Sequence, residues 1–186
     1  MDKTKVVLVT GPSRSGKSEW AEALSLQSSC PVVYVATAQD YPDDAEWQAR
    51  IKRHQQRRPQ TWQTVHCPND LGALISTQEA GICMLIDSLG TWVANFMTLS
   101  ESEWQSQVSS FLEAIRSSPA LLIFVSEETG WGVVPAYREG RLFRDRLGDL
   151  SRAIATLADE TYLVSVGIAI NLKQIGHLVP GSSFQS

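Results

Sequence analysis

The chain has 186 residues, a length typical of a single domain. Its formal net charge of −4 argues against a nucleic-acid-binding body, and its three cysteines, without a C-x-x-C pair, argue against a zinc site or a disulfide framework. No apolar run approaches the ~20 residues that span a bilayer, and no leader is recognisable. We therefore expect a cytoplasmic protein without a membrane span.

The first predicted elements are a strand, a loop and a helix. Residues 6–10 are a β-branched run typical of a buried strand, and a helix is predicted from Ser18 to about residue 28. Between them, Gly11–Ser18 fits the phosphate-loop pattern G-x-x-x-x-G-K-[ST]. A chance match in a glycine-rich turn is the alternative, which the flanking strand and helix disfavour.

This loop predicts binding of a nucleoside triphosphate. Glycines let successive N–H groups surround phosphate oxygens, and the helix N-terminus adds about half a positive charge. Lys17 is expected to reach the β- and γ-phosphates, and the Ser18 hydroxyl to bind Mg²⁺. The predicted nucleotide-binding residues of the loop are Gly11, Pro12, Ser13, Arg14, Ser15, Gly16, Lys17 and Ser18.

Strands and helices alternate along the rest of the chain. The further predicted strands are residues 31–37, 61–65, 82–87, 121–125, 161–166 and 169–173. The further predicted helices are residues 45–58, 71–80, 89–97, 103–116 and 138–158. The alternation predicts an α/β fold with a mostly parallel central sheet, helices on both faces and an antiparallel edge strand. We expect one domain over residues 1–173 and a polar tail over residues 174–186.

Two polar segments follow strands at the expected active edge of this sheet. Asp87 ends an apolar strand, as a Walker B acid does, and would hold Mg²⁺ opposite Ser18. Capping of the next helix is a compatible alternative for this aspartate. A glycine-containing loop with Glu128, Gly130 and Gly132 follows the next strand. It suits substrate or metal contact, or is an ordinary strand–helix connection.

His54 lies on the predicted helix over residues 45–58, on one face with Trp47 and Ile51. A neutral imidazole can attack phosphorus, and flanking arginines would stabilise the charge that develops. From spacing alone, a solvent-facing histidine is the favoured interpretation. The basic residues around it are a solvated helix face, an anion clamp or, least favoured in an acidic chain, a nucleic-acid patch.

Together these segments resemble the bifunctional adenosylcobinamide kinase / adenosylcobinamide-phosphate guanylyltransferase family of cobalamin biosynthesis. The resemblance extends from Val6 to Lys173. The segments that carry it are Gly11–Ser18, Tyr34–Thr37, residues 50–55 with Arg58 and Pro59, the strand that ends at Asp87, Glu128–Pro135, and Phe143–Asp145 with Gly148. The histidine segment and the Glu-x-Gly-x-Gly-Val-Val-Pro loop are more specific than the phosphate loop.

The resemblance implies phosphorylation of the aminopropanol hydroxyl of adenosylcobinamide, followed by transfer of GMP from GTP through a guanylylated histidine. The matching histidine is His54, which reverses the interpretation from spacing, so His54 and Lys17 are the predicted catalytic residues. ATP and GTP are the implied substrates, and Mg²⁺ is the implied metal. Further nucleotide contacts are implied for Thr37, Arg53 and Asp87. A recombination-type phosphate-loop fold and a homotrimer are also implied, with adenosylcobinamide and its phosphate as partners and no nucleic acid.

The chain departs from the family pattern at three places. Asp87 stands where a glutamate is also found, and Asp149-Leu150-Ser151-Arg152 stands where an Asn-Gln pair is usual. The tail beyond Lys173 carries no family motif. Two rival interpretations remain open: a phosphate-loop kinase for another small molecule, without guanylyl transfer, and a non-enzymatic binding module switched by nucleotide.

Overall fold

The computed structural model describes residues 5–39, 43–46, 49, 52 and 58–179, and within them seven strands form one sheet. The strands are β1 Val6–Gly11, β2 Val32–Ala36, β3 Gln63–His66, β4 Cys83–Asp87, β5 Leu121–Glu127, β6 Glu160–Ser165 and β7 Ile168–Asn171. The helices with both ends described are α1 Lys17–Gln27, α2 Leu71–Ser76, α3 Leu89–Asn95, α4 Glu101–Ser117, α5 Arg138–Leu157 and α6 Leu172–Ile175. Ala45, Glu46, Ala49 and Lys52 also have helical backbone, where the histidine-bearing helix is predicted.

The strand order in the sheet is β3-β2-β4-β5-β1-β6-β7. Every neighbouring pair is parallel except β6 and β7, which pair antiparallel at the edge. The predicted α/β fold, with a mostly parallel sheet and an antiparallel edge strand, is therefore confirmed. Since parallel strands end at the same edge, the carboxyl ends of β4, β5 and β1 lie side by side, with β5 between the other two.

The strands β1, β2, β4 and β5 each contribute to two apolar layers because successive side chains point to opposite faces. In β1, Val6 and Leu8 join the layer covered by α3, α4 and α5, whereas Val7 and Val9 join the layer covered by α1. The first layer is the larger and contains aromatic rings packed at tilted angles, with the Trp92 and Phe111 centroids 4.7 Å apart. The helices thus cover both faces of the sheet, as predicted.

Two strands end two residues away from the predicted boundary, whereas the other strand ends agree to within one residue. β5 continues two residues further, to Glu127, because Ser126 and Glu127 pair with the end of β1. The last strand ends earlier, at Asn171, because the Asn171 side chain accepts a hydrogen bond from the Lys173 N–H at 3.1 Å and begins a short helix there. The first difference matters most, because it brings a carboxylate to the active edge of the sheet.

A buried arginine holds the connection between α3 and α4. Arg146 on α5 is only 4% exposed, and it donates to the Phe96 and Leu99 carbonyl oxygens at 2.9 Å each. Its guanidinium carbon lies 5.0 Å from the centroid of the Trp104 ring. These carbonyls follow the end of α3, where a positive charge is favourable. Arg146 therefore fixes the position of α3, whose first turn belongs to the candidate site.

We expect Arg146→Met to lower the free energy of unfolding by about 3 kcal/mol, because two partly buried carbonyls lose a charged donor. Urea denaturation measures the change. Arg116→Met is the matched control, since Arg116 is half exposed and pairs with Glu113 on the same helix at 3.3 Å. That variant should change stability by less than about 0.5 kcal/mol. Equal losses in both variants would contradict the structural role of Arg146.

Candidate active site

The phosphate loop connects β1 to α1, as the sequence predicts. Gly16, the residue before α1, has φ 98°, a conformation that glycine adopts without strain. The Lys17 side chain is nearly buried and donates from Nζ to the Pro12 carbonyl oxygen at 3.3 Å. The hydroxyl of Ser15 is buried and has no hydrogen-bond partner among the described residues. A buried donor without a partner is costly, so the loop is built to receive an acceptor such as a phosphate oxygen.

Asp87 ends β4 and accepts a hydrogen bond from the Tyr34 hydroxyl at 2.9 Å. Burial, reinforced by the Asp87 charge, raises the pKa of Tyr34, so this phenol stays protonated and keeps donating. The Arg58 guanidinium carbon lies 3.3 Å from the centroid of the Tyr34 ring. The last arginine of the predicted basic cluster is therefore in contact with the side chain that holds Asp87.

Capping of α3 by Asp87 is wrong, because Ser88 is the capping residue. The Ser88 hydroxyl accepts from the Thr91 N–H, while the Thr91 hydroxyl is bonded to the Ser88 backbone. Thr37 is fully buried, and its hydroxyl donates to the Ser88 carbonyl oxygen at 2.7 Å and accepts from the Ser88 N–H at 2.9 Å. Thr37 thus positions the start of α3. Its predicted nucleotide contact stays a prediction.

Glu127 is the site residue that the sequence reasoning did not select. Its carboxylate accepts a hydrogen bond from the Ser88 hydroxyl at 2.5 Å and from the Gly90 N–H at 3.0 Å. Burial raises the pKa of Glu127; the Asp87 charge adds to this, and the Ser88 hydrogen bond and the Lys17 charge oppose it. The residue therefore lies between the Walker B position and the phosphate-loop lysine.

The close approach of Glu127 also explains a glycine. A Cβ added to Gly90 would lie 2.2 Å from Glu127 Oε2, so no side chain fits there while the carboxylate is in place. A sequence signal for Glu127 was available. Like Asp87, it is the acid at the end of an apolar run at the same edge of the sheet. The glycines that follow, Gly130 and Gly132, favoured Glu128 as the predicted site residue instead.

Glu128 is hydrogen-bonded to Thr10 and Gly11, where β1 leads into the phosphate loop. Its N–H donates to the Gly11 carbonyl oxygen at 3.0 Å, and its carboxylate accepts from the Thr10 hydroxyl at 2.8 Å. Glu128 and Gly130 both line a cavity beside β1, whereas Gly132 is exposed and is not among the residues that line it. The structure thus brings Glu128 and Gly130 next to the phosphate loop and leaves Gly132 further out.

Two predicted residues, Arg53 and His54, lie outside the described residues, so their roles stay predictions. The described residues contain no cluster of three or more His, Cys, Asp or Glu side chains that could hold a metal ion. Mg²⁺ does not need such a cluster, because it binds through one or two carboxylates together with substrate phosphates and water. Ser18 and Asp87, a hydroxyl and a carboxylate at the active edge, fit that requirement.

The comparisons with known proteins agree with this geometry. Residues 7–172 match the family model described as cobinamide kinase / cobinamide phosphate guanyltransferase. The chain belongs to this family. The match includes the phosphate loop, the histidine segment and the polar ends of β4 and β5, so the family assignment rests on the whole domain rather than on one motif.

Two relatives of the cobinamide kinase / cobinamide phosphate guanyltransferase family match most of this chain. The bifunctional adenosylcobalamin biosynthesis protein CobP of Pseudomonas aeruginosa is 37% identical over 168 residues, which cover 89% of this chain and 96% of the relative. The bifunctional adenosylcobalamin biosynthesis protein CobU of Escherichia coli is 36% identical over 183 residues, which cover 90% of this chain and 99% of the relative. Both relatives are thus matched over nearly their full length.

One solved structure supports the fold alone. The Project ID PH0250 protein of Pyrococcus horikoshii OT3 aligns with a TM-score of 0.56 at 7% identity, over 96% of this chain and 89% of that one. Among the described helices, none combines the length and the apolar character needed to cross a bilayer.

The raised pKa of Glu127 predicts a pH dependence of stability. The folded state holds this proton more tightly than the unfolded state, so the stability that it contributes is complete below the unfolded pKa of about 4.3 and is lost as the pH rises through the folded pKa. Glu127→Gln removes the titration, and its amide can still accept from Gly90 and donate to Ser88. We expect the variant to gain stability over wild type as the pH rises from about 4.3.

Urea denaturation at several pH values, without nucleotide, measures this effect, and Glu103→Gln is a control of opposite sign. The Ser100 hydroxyl and N–H donate to Glu103 and lower its pKa, so its contribution is lost as the pH falls. A pH-independent difference between wild type and Glu127→Gln would show that Glu127 has the same pKa in the folded and unfolded states.

Proposed function

We propose that this chain phosphorylates adenosylcobinamide with ATP or GTP and then transfers GMP from GTP to the new phosphate through a guanylylated His54. The observation that carries the proposal is the family match over residues 7–172, in which one domain contains both a phosphate loop and the histidine segment. The unpartnered Ser15 hydroxyl and the nearly buried Lys17 support phosphate binding at the loop. The product is adenosylcobinamide-GDP, an intermediate in cobalamin biosynthesis.

In the kinase step, the aminopropanol oxygen attacks the γ-phosphorus of the nucleotide. A P–O bond to the acceptor forms, the bond to the β–γ bridging oxygen breaks, the nucleoside diphosphate leaves, and the hydroxyl proton is released to water. Lys17 offsets negative charge on the transferring group, and the backbone N–H groups of residues 11–18 hold the neighbouring phosphates. Mg²⁺, when bound by Ser18 and Asp87, neutralises further phosphate charge.

In the guanylyl step, a ring nitrogen of His54 attacks the α-phosphorus of GTP. A P–N bond forms, the bond to the α–β bridging oxygen breaks, and pyrophosphate leaves. A phosphate oxygen of adenosylcobinamide phosphate then attacks the same phosphorus, and the P–N bond breaks to release His54. Arg53 and Arg58 would stabilise the charge on the phosphoryl oxygens. Two displacements at one centre predict retention of configuration at the α-phosphorus.

The direct experiment is to incubate the protein with GTP labelled at the α-phosphorus and quench in alkali. We expect acid-labile label on wild type and none on His54→Ala, because a phosphoramidate is stable in alkali and hydrolyses in acid. His177→Ala, in an exposed segment after α6, is the matched control and should keep the label. Lys17→Ala should lose the label and the kinase step together. Wild-type protein without label would contradict the covalent route.

The labelling reaction should also depend on pH. His54 must be neutral to attack, so the labelling rate should fall as the pH drops below about 6.5. The kinase step does not use this nitrogen, so phosphorylation of adenosylcobinamide by His54→Ala should continue at a rate near that of wild type. Loss of both activities in His54→Ala, with an unchanged melting temperature, would instead give this residue a role in both steps.

The proposal includes a homotrimer in the cytoplasm. Exposed apolar side chains concentrate in residues 131–137, where Val133 is 95% exposed and Tyr137 is 80% exposed, and such patches are typical of interaction surfaces. Three free cysteines are compatible with a reducing compartment.

Analytical ultracentrifugation should give three times the chain mass. If residues 131–137 form the interface, Val133→Asp should reduce that mass, whereas an unchanged trimer in this variant would place the interface elsewhere.

A further inference from the structure

A cavity of about 290 Å³ lies between the sheet and α5, and we call it the α5 cavity. Its walls come from β1, β6, α5, the start of α6 and the segment Glu127–Gly130. The residues used below are Thr10, Glu127, Glu128, Ala155 and Thr161. The cavity lies on the sheet face that carries Leu8, opposite the face covered by α1. It is therefore separate from the N-terminus of α1, where the phosphate loop presents its lysine.

Within the part of the chain that the structure describes, one hydroxyl group in the wall of the α5 cavity has no hydrogen-bond partner. Thr161 on β6 is 6% exposed, lines the cavity, and makes no hydrogen bond through its hydroxyl among the described residues. Buried hydroxyl groups in native proteins nearly always have a partner, and leaving one without a partner costs about 1–3 kcal/mol. An occupant with a polar atom would satisfy this group.

One end of the α5 cavity, lined by Glu127 and Glu128, lies beside the candidate active site. Glu127 lines it and also lies between Asp87 and Lys17 in the site described above. Glu128 lines it too, and is held against the base of the phosphate loop through Thr10 and the Gly11 carbonyl oxygen. A molecule bound here would thus have one end beside the residues expected to handle the phosphates.

The lining indicates which chemistry the α5 cavity would take. Two carboxylates, Glu127 and Glu128, line it together with two guanidinium groups, Arg144 and Arg152, and Arg144 is already paired with Asp145 at 2.8 Å. The lining therefore has no excess positive charge that would favour an anion, and a neutral group with hydrogen-bonding atoms fits. The volume is at the small end of ligand pockets, which run from about 300 to 1,000 Å³. It suits one arm of a large substrate.

We propose that the α5 cavity is the acceptor subsite, which binds the neutral hydroxyl- and amide-bearing aminopropanol arm of cobinamide. The Thr161 hydroxyl bonds to the arm, and the Glu128 carboxylate accepts from the arm's hydroxyl and orients it towards the phosphate loop. The corrin ring stays outside. This inference rests on the proposed function, because it assigns a place to the acceptor of that reaction.

Two variants test the subsite by different means. Thr161→Val keeps the shape and removes the unpartnered hydroxyl, so it should fold at least as well as wild type while raising the dissociation constant for cobinamide about fivefold to tenfold. Ala155→Leu places bulk in the α5 cavity and should raise that constant more than tenfold. Equilibrium dialysis, read by the visible absorbance of cobinamide, measures both. Thr156→Leu, an exposed position on the same helix, is the matched control and should match wild type.

Separate measurements keep failure of the subsite distinct from failure of the proposed function. GTP affinity and labelling from GTP without acceptor should be unchanged in both variants. If wild type takes no label, the covalent route fails whatever the cavity binds. If labelling is normal and cobinamide affinity is unchanged in Thr161→Val, the cavity holds only water and the subsite is overturned. Weaker GTP binding with unchanged cobinamide binding would also overturn it, because the cavity would then belong to the nucleotide. Should Ala155→Leu fail to fold, Thr161→Val decides.

Discussion

The buried carboxylate of Glu127 is the constraint on which the active edge depends. It joins the end of β5 to the first turn of α3 through the Ser88 hydroxyl and the Gly90 N–H, and it lies between Asp87 and Lys17. Burial of a carboxylate is unfavourable unless hydrogen bonds and a nearby cation compensate for the lost hydration, and here both are present. The position of this carboxylate also constrains its neighbours. Position 90 has no room for a side chain, and Thr37 holds the Ser88 backbone in place.

This polar edge is stabilised by the buried strands β4 and β5 and by Arg146. The strands that end at Asp87 and Glu127 are buried on both faces, so apolar packing fixes the positions of their ends. Arg146 on α5 in addition holds the connection that follows α3. Catalytic geometry needs this support, because a carboxylate on a mobile loop could not keep its distance from a phosphate-loop lysine. The site is therefore built on strand ends and a helix start, with the loops adding contacts around them.

The position of β5 relates the two halves of the proposed reaction. β5 lies between β1, which leads into the phosphate loop, and β4, which ends at Asp87. Glu127, the last residue of β5, interacts with the charge of Lys17 and also lines the α5 cavity. A nucleotide and an acceptor that approach from opposite faces of the sheet would meet at this one strand end. In-line phosphoryl transfer requires the nucleophile and the leaving group on opposite sides of phosphorus, and this arrangement suits it.

The sequence alone determined the phosphate loop, the alternation of strands and helices, the apolar strand that ends at Asp87, and the family. These are signals carried by neighbouring residues and by the regular spacing of apolar side chains, which a single chain displays directly. The role of Glu127, the capping of α3 by Ser88, the contact of Arg58 with Tyr34 and the unpartnered hydroxyl of Thr161 were decided only by the tertiary structure. Glu127 meets Ser88 and Gly90, which lie 39 and 37 positions away, and it does so at a strand end that pairing with β1 extends. The contact of Arg58 with Tyr34 also joins separate segments of the chain. Burial, which no local pattern displays, then changes the energy of these polar groups.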